Sequence, residues 1–294
     1  MRRFRRITKS ADTAFGDKTM SRKKSITDAS VVSLWRYPVK SMMGEELNAA
    51  DLTEHGLLGD RAYALIDASD GKVVSAKNPR KWEGLFDFRA AFMHTPTADK
   101  SIPPVRITLP DGTTVTSEDI DVNQTLSDVL GREVRLEPAT SQARSLEEYW
   151  PDMEGLDHRD IVTDEAMPSG TFFDVGIVHL LTTATIDRLR GLYSEGRFEV
   201  RRFRPNIVVN PATDDSGFVE NDWVGKTVAI GNAVCLNITE ATSRCVMTTL
   251  PQGDLPRDPG ILRAAAQNNH VQVGVYAEVQ QGGTIRRRDT VGVE

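Results

Sequence analysis

The 294-residue chain has only two cysteines, Cys235 and Cys245, too few for a disulfide framework, and this usage fits a reducing, cytoplasmic setting. No apolar run approaches the roughly 18 to 20 residues that a bilayer-spanning helix needs, so no transmembrane segment is expected. There is no Gly-x-Gly-x-x-Gly and no phosphate-loop lysine motif, which leaves a nucleotide cofactor without support. Five histidines (His55, His94, His158, His179, His270) show no metal spacing, and the two cysteines lie ten residues apart without histidine partners, which argues against zinc. Basic character is lacking too. The net charge is −6, and an acidic body does not suit nucleic acid, whose phosphates need a basic face.

What is present is a composition of soluble globular type, 39% hydrophobic and 27% charged, long enough for two packed domains. The charge is uneven. Residues 1–24 carry nine Lys and Arg against Asp12 and Asp17, and this basic stretch without apolar periodicity is expected as a disordered extension over residues 1–30. It lacks the apolar segment of a secretory signal, and Met20 offers a second translation start within it.

The first half reads as short antiparallel strands. Val31 to Tyr37 alternates and ends at Pro38, placing Lys40 and Ser41 in the following loop. Asp70-Gly71 and Asp111-Gly112 each separate two strand-like runs, the strongest short hairpin signal. One helix is expected at Leu126 to Leu130. Residues 138–171, with Pro138, Pro151, Pro168 and Gly170, read as an irregular crossover. Thr182 to Leu192 is the clearest helix, with Ala184, Ile186, Leu189 and Leu192 on one face and Thr182 or Thr183 able to cap. Strands follow at 207–209, 228–230, 234–238, 271–276 and 289–293, and short strands joined by Gly turns suggest a barrel.

Three places carry candidate chemistry. Cys245 follows Ser243 and Arg244 at the end of a strand-like run; a thiolate beside a cation is expected to have a lowered pKa and is the soft ligand that a thiophilic metal prefers, although it equally suits a nucleophile. Cys235, between Val234 and Leu236, reads as a small buried hydrophobe. Arg204 and Asn206 flank Pro205, so a cation and a two-way amide stand close together at a strand entrance, which suits an anionic, heteroatom-rich ligand. Lys40-Ser41 offers an ammonium, a hydroxyl and backbone N–H groups in one loop, and Gly59-Asp60-Arg61 projects an arginine from a tight turn.

Taken in order, Tyr37-Pro-Val-Lys-Ser41, Gly56-Leu-Leu-Gly-Asp-Arg61, Arg202-Phe-Arg-Pro-Asn-Ile207 and Ser243-Arg-Cys-Val-Met-Thr-Thr249 resemble the MOSC superfamily (molybdenum cofactor sulfurase C-terminal domain) with its N-terminal β-barrel partner. The resemblance covers roughly residues 31–294. It implies a mixed α/β, predominantly β chain, with an N-terminal MOSC β-barrel-type domain over 31–137 packed on a C-terminal MOSC β-barrel over 172–294. It further implies a molybdenum cofactor (Mo-molybdopterin) ligated by Cys245 as catalytic residue and metal ligand. Lys40, Ser41, Arg61, Thr182, Thr183, Arg204, Asn206, Ser243, Arg244 and Tyr276 would hold the pterin and its phosphate, with His179 bordering the site. The implied reaction is reduction of small N-hydroxylated substrates such as amidoximes and hydroxylamines. No cysteine cluster is available for an iron–sulfur centre, so electrons are expected from a separate ferredoxin-like or flavoprotein donor. The alternative is a sulfur-carrier or cofactor-binding module with a persulfide on Cys245.

Overall fold

A computed structural model describes residues 29–156, 158–212 and 215–294. The basic tail lies, as far as residue 28, outside the described residues. The chain is predominantly β. Its largest sheet has eight strands, in the spatial order Val291–Val293, Thr227–Ile230, Val234–Ser243, Gln272–Gln281, Val178–Thr182, Ile207–Asn210, Ser30–Arg36 and Glu45–Leu47. Val178–Thr182 is buried at every position and runs parallel to Ile207–Asn210. Both are rich in Val, Leu and Ile, as strands covered on two faces tend to be. The helix Thr183–Leu192 begins directly after, with the Thr182 hydroxyl accepting from the Thr185 N–H, so the expected helix and its cap coincide with the observed ones.

Two long strands, Val234–Ser243 and Gln272–Gln281, pair antiparallel with three register shifts along their length. Bulges of this kind bend a ribbon and raise its twist, and this one curls so that Ser243-Arg244-Cys245 leaves the sheet beside the second lobe. That lobe holds the hairpin Arg89–Phe92, Val105–Thr108 and Thr114–Thr116, the pair Tyr63–Asp67 and Val134–Pro138, and the helix Val122–Leu130. Its apolar core, including Val39, Met42, Leu65, Phe88, Ile107 and Leu126, also receives Cys245, Met247 and Leu250 from the C-terminal half. The lobes exchange strands as well: Ser30–Arg36 pairs with Ile207–Asn210, and Gly283–Arg286 pairs with Ala49–Thr53.

Residues 138–171 depart from the expected irregular crossover. They contain a hairpin of two six-residue strands, Ser145–Trp150 against Ile161–Ala166. The hairpin expected across Asp70-Gly71 is present in short form, an Ile66–Val73 bridge with Asp67 N–H to the Lys72 carbonyl and Val74 N–H to the Leu65 carbonyl, each 2.9 Å, and Tyr63–Asp67 pairs in addition with Val134–Pro138. A further helix, Pro259–Asn269, was not expected, although Asp258 caps it through the Gly260 N–H and Pro259 opens it.

One glycine is fixed by both conformation and space. Gly274 has φ +86°, and a Cβ there would lie 2.2 Å from His179 Nε2 and 2.7 Å from the Leu180 carbonyl oxygen. Gly274→Ala therefore combines left-handed backbone strain with a clash against a central strand that cannot retreat, and is expected to cost more than about 2 kcal/mol. Thermal melting checks this, and a variant melting with the parent would remove the constraint.

Candidate functional site

A cavity of about 720 Å³ opens between the two lobes. Of the residues singled out from the sequence, Lys40, Ser41, Arg61, Arg204, Asn206, Ser243, Arg244, Cys245 and Tyr276 line it, together with His179. Three come from the loops of the N-terminal half, the rest from the C-terminal half: strands (His179, Ser243, Tyr276), the end of a short helix (Arg204) and the loops beside them. Thr182 and Thr183 are not brought there. The Thr182 hydroxyl is fully buried, donating to Glu220 Oε2 at 2.6 Å while it caps the helix, and Thr183 donates to Asn210 Oδ1 at 2.9 Å.

Backbone conformation marks the same place. Seven described non-glycine residues have positive φ, and Ser41, Arg61, Arg204, His270 and Val271 among them border the cavity. Such conformations cost of order 1 kcal/mol or more each and persist where the surroundings over-determine them, which is typical of ligand sites. Arg204 (φ 53°) ends the short helix Val200–Phe203 and precedes Pro205. Its guanidinium stacks 4.1 Å from the Tyr37 ring centroid, donates to the Met42 carbonyl at 2.7 Å and has no carboxylate partner among the described residues. Burial lowers it to about 10, against the favourable field of Tyr37. Arg61 is held by the buried Asp60, which also accepts from the Tyr37 N–H at 2.7 Å and from Asn206 Nδ2 at 2.9 Å. Asn206 is thus a strut, because its Oδ1 also accepts the His179 N–H at 3.0 Å.

Beside Cys245 the electrostatics differ from the sequence expectation. The thiol is pushed up to about 11, by burial first and by Glu148 next, while Lys77 and Arg244 oppose the rise. The guanidinium of Arg244 is turned towards the Phe203 carbonyl, at 2.8 Å, which weakens its influence on the sulfur, and its buried Nε has no partner. Lys40 donates to Asp174 Oδ1 at 2.7 Å and to the Phe172 carbonyl at 2.8 Å; Lys77 reaches Glu148 at 2.8 Å and Asp174 at 3.8 Å. Burial alone would raise the Asp174 carboxyl, but Lys40 and Lys77 together hold it well below the usual carboxylate range. His179 is kept neutral, well below its usual value, by burial and by Arg244.

Lys77, Glu148 and Asp174 were missed in the sequence. A signal existed for the first: strand alternation through Val73 puts Ser75 and Lys77 on one side, and both line the cavity. Glu148 comes from the unexpected hairpin and carries no local mark.

The residues present fit an anionic organic cofactor carrying its own metal. Five Lys and Arg border the cavity, an orphaned guanidinium N–H lies at its wall, and Cys245 supplies one thiol donor. Among the described residues no three His, Cys, Asp or Glu side chains gather to hold a bare ion. A metal already chelated by its cofactor needs one protein donor; a bare one needs several.

Residues 28–84 match the MOSC N-terminal beta barrel domain and residues 171–292 match the MOSC domain. A molybdenum cofactor sulfurase from Oryza sativa subsp. japonica is 25% identical over 259 residues, 79% of this chain and 30% of that protein. The mitochondrial amidoxime reducing component 2 of Bos taurus is 26% identical over 251 residues, 78% of this chain and 69% of that protein. The chain thus spans less than a third of the rice relative. Among solved structures, the YuaD protein from Bacillus subtilis aligns over 90% of this chain and 94% of its own at 12% identity and a TM-score of 0.43. Among the described residues, no helix is long and apolar enough to cross a membrane.

Proposed function

For this member of the MOSC superfamily, in which a MOSC N-terminal beta barrel domain is joined to a MOSC domain, we propose a molybdenum-cofactor-dependent reductase of small N-hydroxylated substrates. The observation that carries the reading is one thiol, Cys245, at the wall of a cavity rich in cations. Lys40, Ser41, Arg61 and Arg204 would take the cofactor's phosphate and pterin, since charge-assisted contacts are the strong ones and these cations are already desolvated and held in place. Ser243, Arg244 and Tyr276 would complete the cradle, with Asn206 bracing Asp60 and His179 behind it. When bound, the cofactor supplies two-electron chemistry, with electrons from a separate protein donor. Cys245 contributes the soft ligand; burial keeps the free thiol protonated, and the field of Lys77, which favours the ionised sulfur, opposes that only in part. The net reaction takes an N-hydroxyl compound, two electrons and two protons to the N–H compound and water.

Elemental analysis of purified protein, paired with reduction of benzamidoxime by a reduced dye, tests this. About one molybdenum per chain with turnover is expected. The match to a cofactor sulfurase favours a second reading, a sulfur carrier. Protein without molybdenum but with an alkylatable persulfide on Cys245 would establish that one in its place.

Arg204→Ala is expected to lower cofactor content more than it lowers the melting temperature of the cofactor-free protein. Losing one charge-assisted contact costs about 1.5–3 kcal/mol of binding, roughly ten- to a hundredfold in affinity. Full pterin occupancy in the variant would make Arg204 a structural residue only.

A further inference from the structure

Tyr37 lies just behind the cavity wall, 1% exposed and tied down at three points. Its N–H donates to Asp60 Oδ1 at 2.7 Å, its carbonyl accepts the Arg61 N–H at 2.8 Å, and its hydroxyl donates to the Pro205 carbonyl at 3.2 Å. Burial keeps the phenol protonated, well above its usual range, so the ring offers a neutral π-face.

Two guanidiniums gather on that ring, Arg204 at 4.1 Å and Arg61 at 5.1 Å from its centroid. Their charges are held differently. Arg61 forms an ion pair with the buried Asp60. Arg204, 5% exposed, meets the Tyr37 ring, the Phe86 ring at 5.5 Å and the Met42 carbonyl at 2.7 Å, and no carboxylate bonds it among the described residues. All three contacts come from the N-terminal half, whereas Arg204 belongs to the C-terminal half.

This difference has a chemical consequence. A carboxylate neutralises a guanidinium, but aromatic faces and a carbonyl fix its plane and leave the charge for an incoming anion. A buried cation without a counter-ion is costly, and an anion arriving in the cavity relieves that cost. On the functional reading above, in which the cavity receives an anionic cofactor, we propose that Tyr37 is a positioning residue whose ring holds Arg204 for the anion. The N-terminal lobe thereby sets the anion affinity of a cation carried by the C-terminal lobe. Because stacking does the holding, the ring face matters more than the hydroxyl.

Calorimetric titration of the full-length, cofactor-free chain with inorganic pyrophosphate tests this, together with the pterin content of protein made in cofactor-producing cells. Tyr37→Phe keeps the ring and should bind pyrophosphate within about twofold of the parent. Tyr37→Leu should bind about tenfold more weakly and retain less pterin. A ring-fluorinated phenylalanine at the same position keeps the volume but withdraws the negative face, and should fall towards the leucine variant. It also carries the test if circular dichroism shows Tyr37→Leu unfolded. In an Arg204→Ala background the leucine change should weaken binding no further, since Tyr37 acts through Arg204; losses that multiply would make Tyr37 a packing residue and overturn the proposal. A fluorinated ring that binds like phenylalanine, a leucine variant that binds like the parent, or a parent that does not bind pyrophosphate overturns it as well. Molybdenum content and benzamidoxime turnover of the parent decide the functional reading separately. Anion affinity that depends on Tyr37 in a protein without molybdenum sinks the reductase reading alone, whereas a loaded, active parent whose Tyr37 variants bind pyrophosphate unchanged sinks the positioning role alone.

Discussion

Cys245→Ser should reduce benzamidoxime turnover to background and strip molybdenum from the purified protein, while Cys235→Ser keeps most of both. The contrast rests on place as well as chemistry. Cys245 borders the cavity, where a serine hydroxyl, a hard and scarcely ionised oxygen, is a poor ligand for a thiophilic metal. Cys235 lies outside the cavity on the strand Val234–Ser243, with its Sγ–H 3.4 Å from Gln280 Oε1. Each change trades sulfur for oxygen at a half-buried position, so both should cost about 1 kcal/mol of stability or less and leave folded protein. Turnover and metal content measured side by side, with melting curves as control, give the answer. Equal loss in the two variants would remove the distinction between them.

The thiol also illustrates where sequence neighbours mislead. Arg244 adjoins Cys245, which suggests a lowered pKa; in the fold its guanidinium turns to the Phe203 carbonyl, and burial beside Glu148 wins. Adjacency along the chain fixes backbone distance, whereas a pKa depends on where the side-chain charge ends up and on how much water remains.

The central strands are legible because Ile207–Asn210 and Thr227–Ile230 show apolar runs or alternation, and the helix after Thr182 because its cap and its 3.6-residue period agree. The helix Pro259–Asn269 carries a start signal in Asp258-Pro259, but its small and polar residues give it little apolar periodicity. The hairpin 145–166 is a different matter. Its strands, Ser-Leu-Glu-Glu-Tyr-Trp and Ile-Val-Thr-Asp-Glu-Ala, are rich in acids that disfavour β structure on their own. They are held by cations some 70 to 90 residues away, at Lys72, Lys77 and Arg80, which no local window detects. The candidate site divides in the same manner. Lys40, Arg61, Arg204 and Cys245 stand out as polar residues at strand ends and tight turns, while Glu148 and Asp174 enter through tertiary contacts alone.

The largest effect on stability is expected at Arg202, which carries no proposed contact with a ligand. Its side chain is wholly buried and holds four backbone carbonyls at once: Arg197 through Nε at 2.9 Å, Thr248 and Leu250 through Nη1 at 3.1 and 3.2 Å, and Pro256 through Nη2 at 2.9 Å. Arg202→Ala leaves these acceptors without a donor and opens a void of several methylenes, a loss of about 3–5 kcal/mol by analogy with breaking a buried charged network. In a chain of this size that lowers the melting temperature by on the order of 10 °C. Arg202→Lys should recover part of the loss, since one ammonium cannot reproduce a planar fork spread over four carbonyls. The neighbouring Arg201, bound to Glu199 and Asp254 at the surface, is the control, and Arg201→Ala should cost under about 1 kcal/mol. Function follows from the same geometry. Thr248 and Leu250 belong to the turn immediately after Cys245, so releasing their carbonyls lets the thiol drift from the cavity wall. Cofactor content in Arg202→Ala should therefore drop even at temperatures where the variant remains folded by circular dichroism. A variant that melts within about 2 °C of the parent would show that the four bonds are replaced by water at little cost, and Arg202 would lose its place as the clamp behind Cys245.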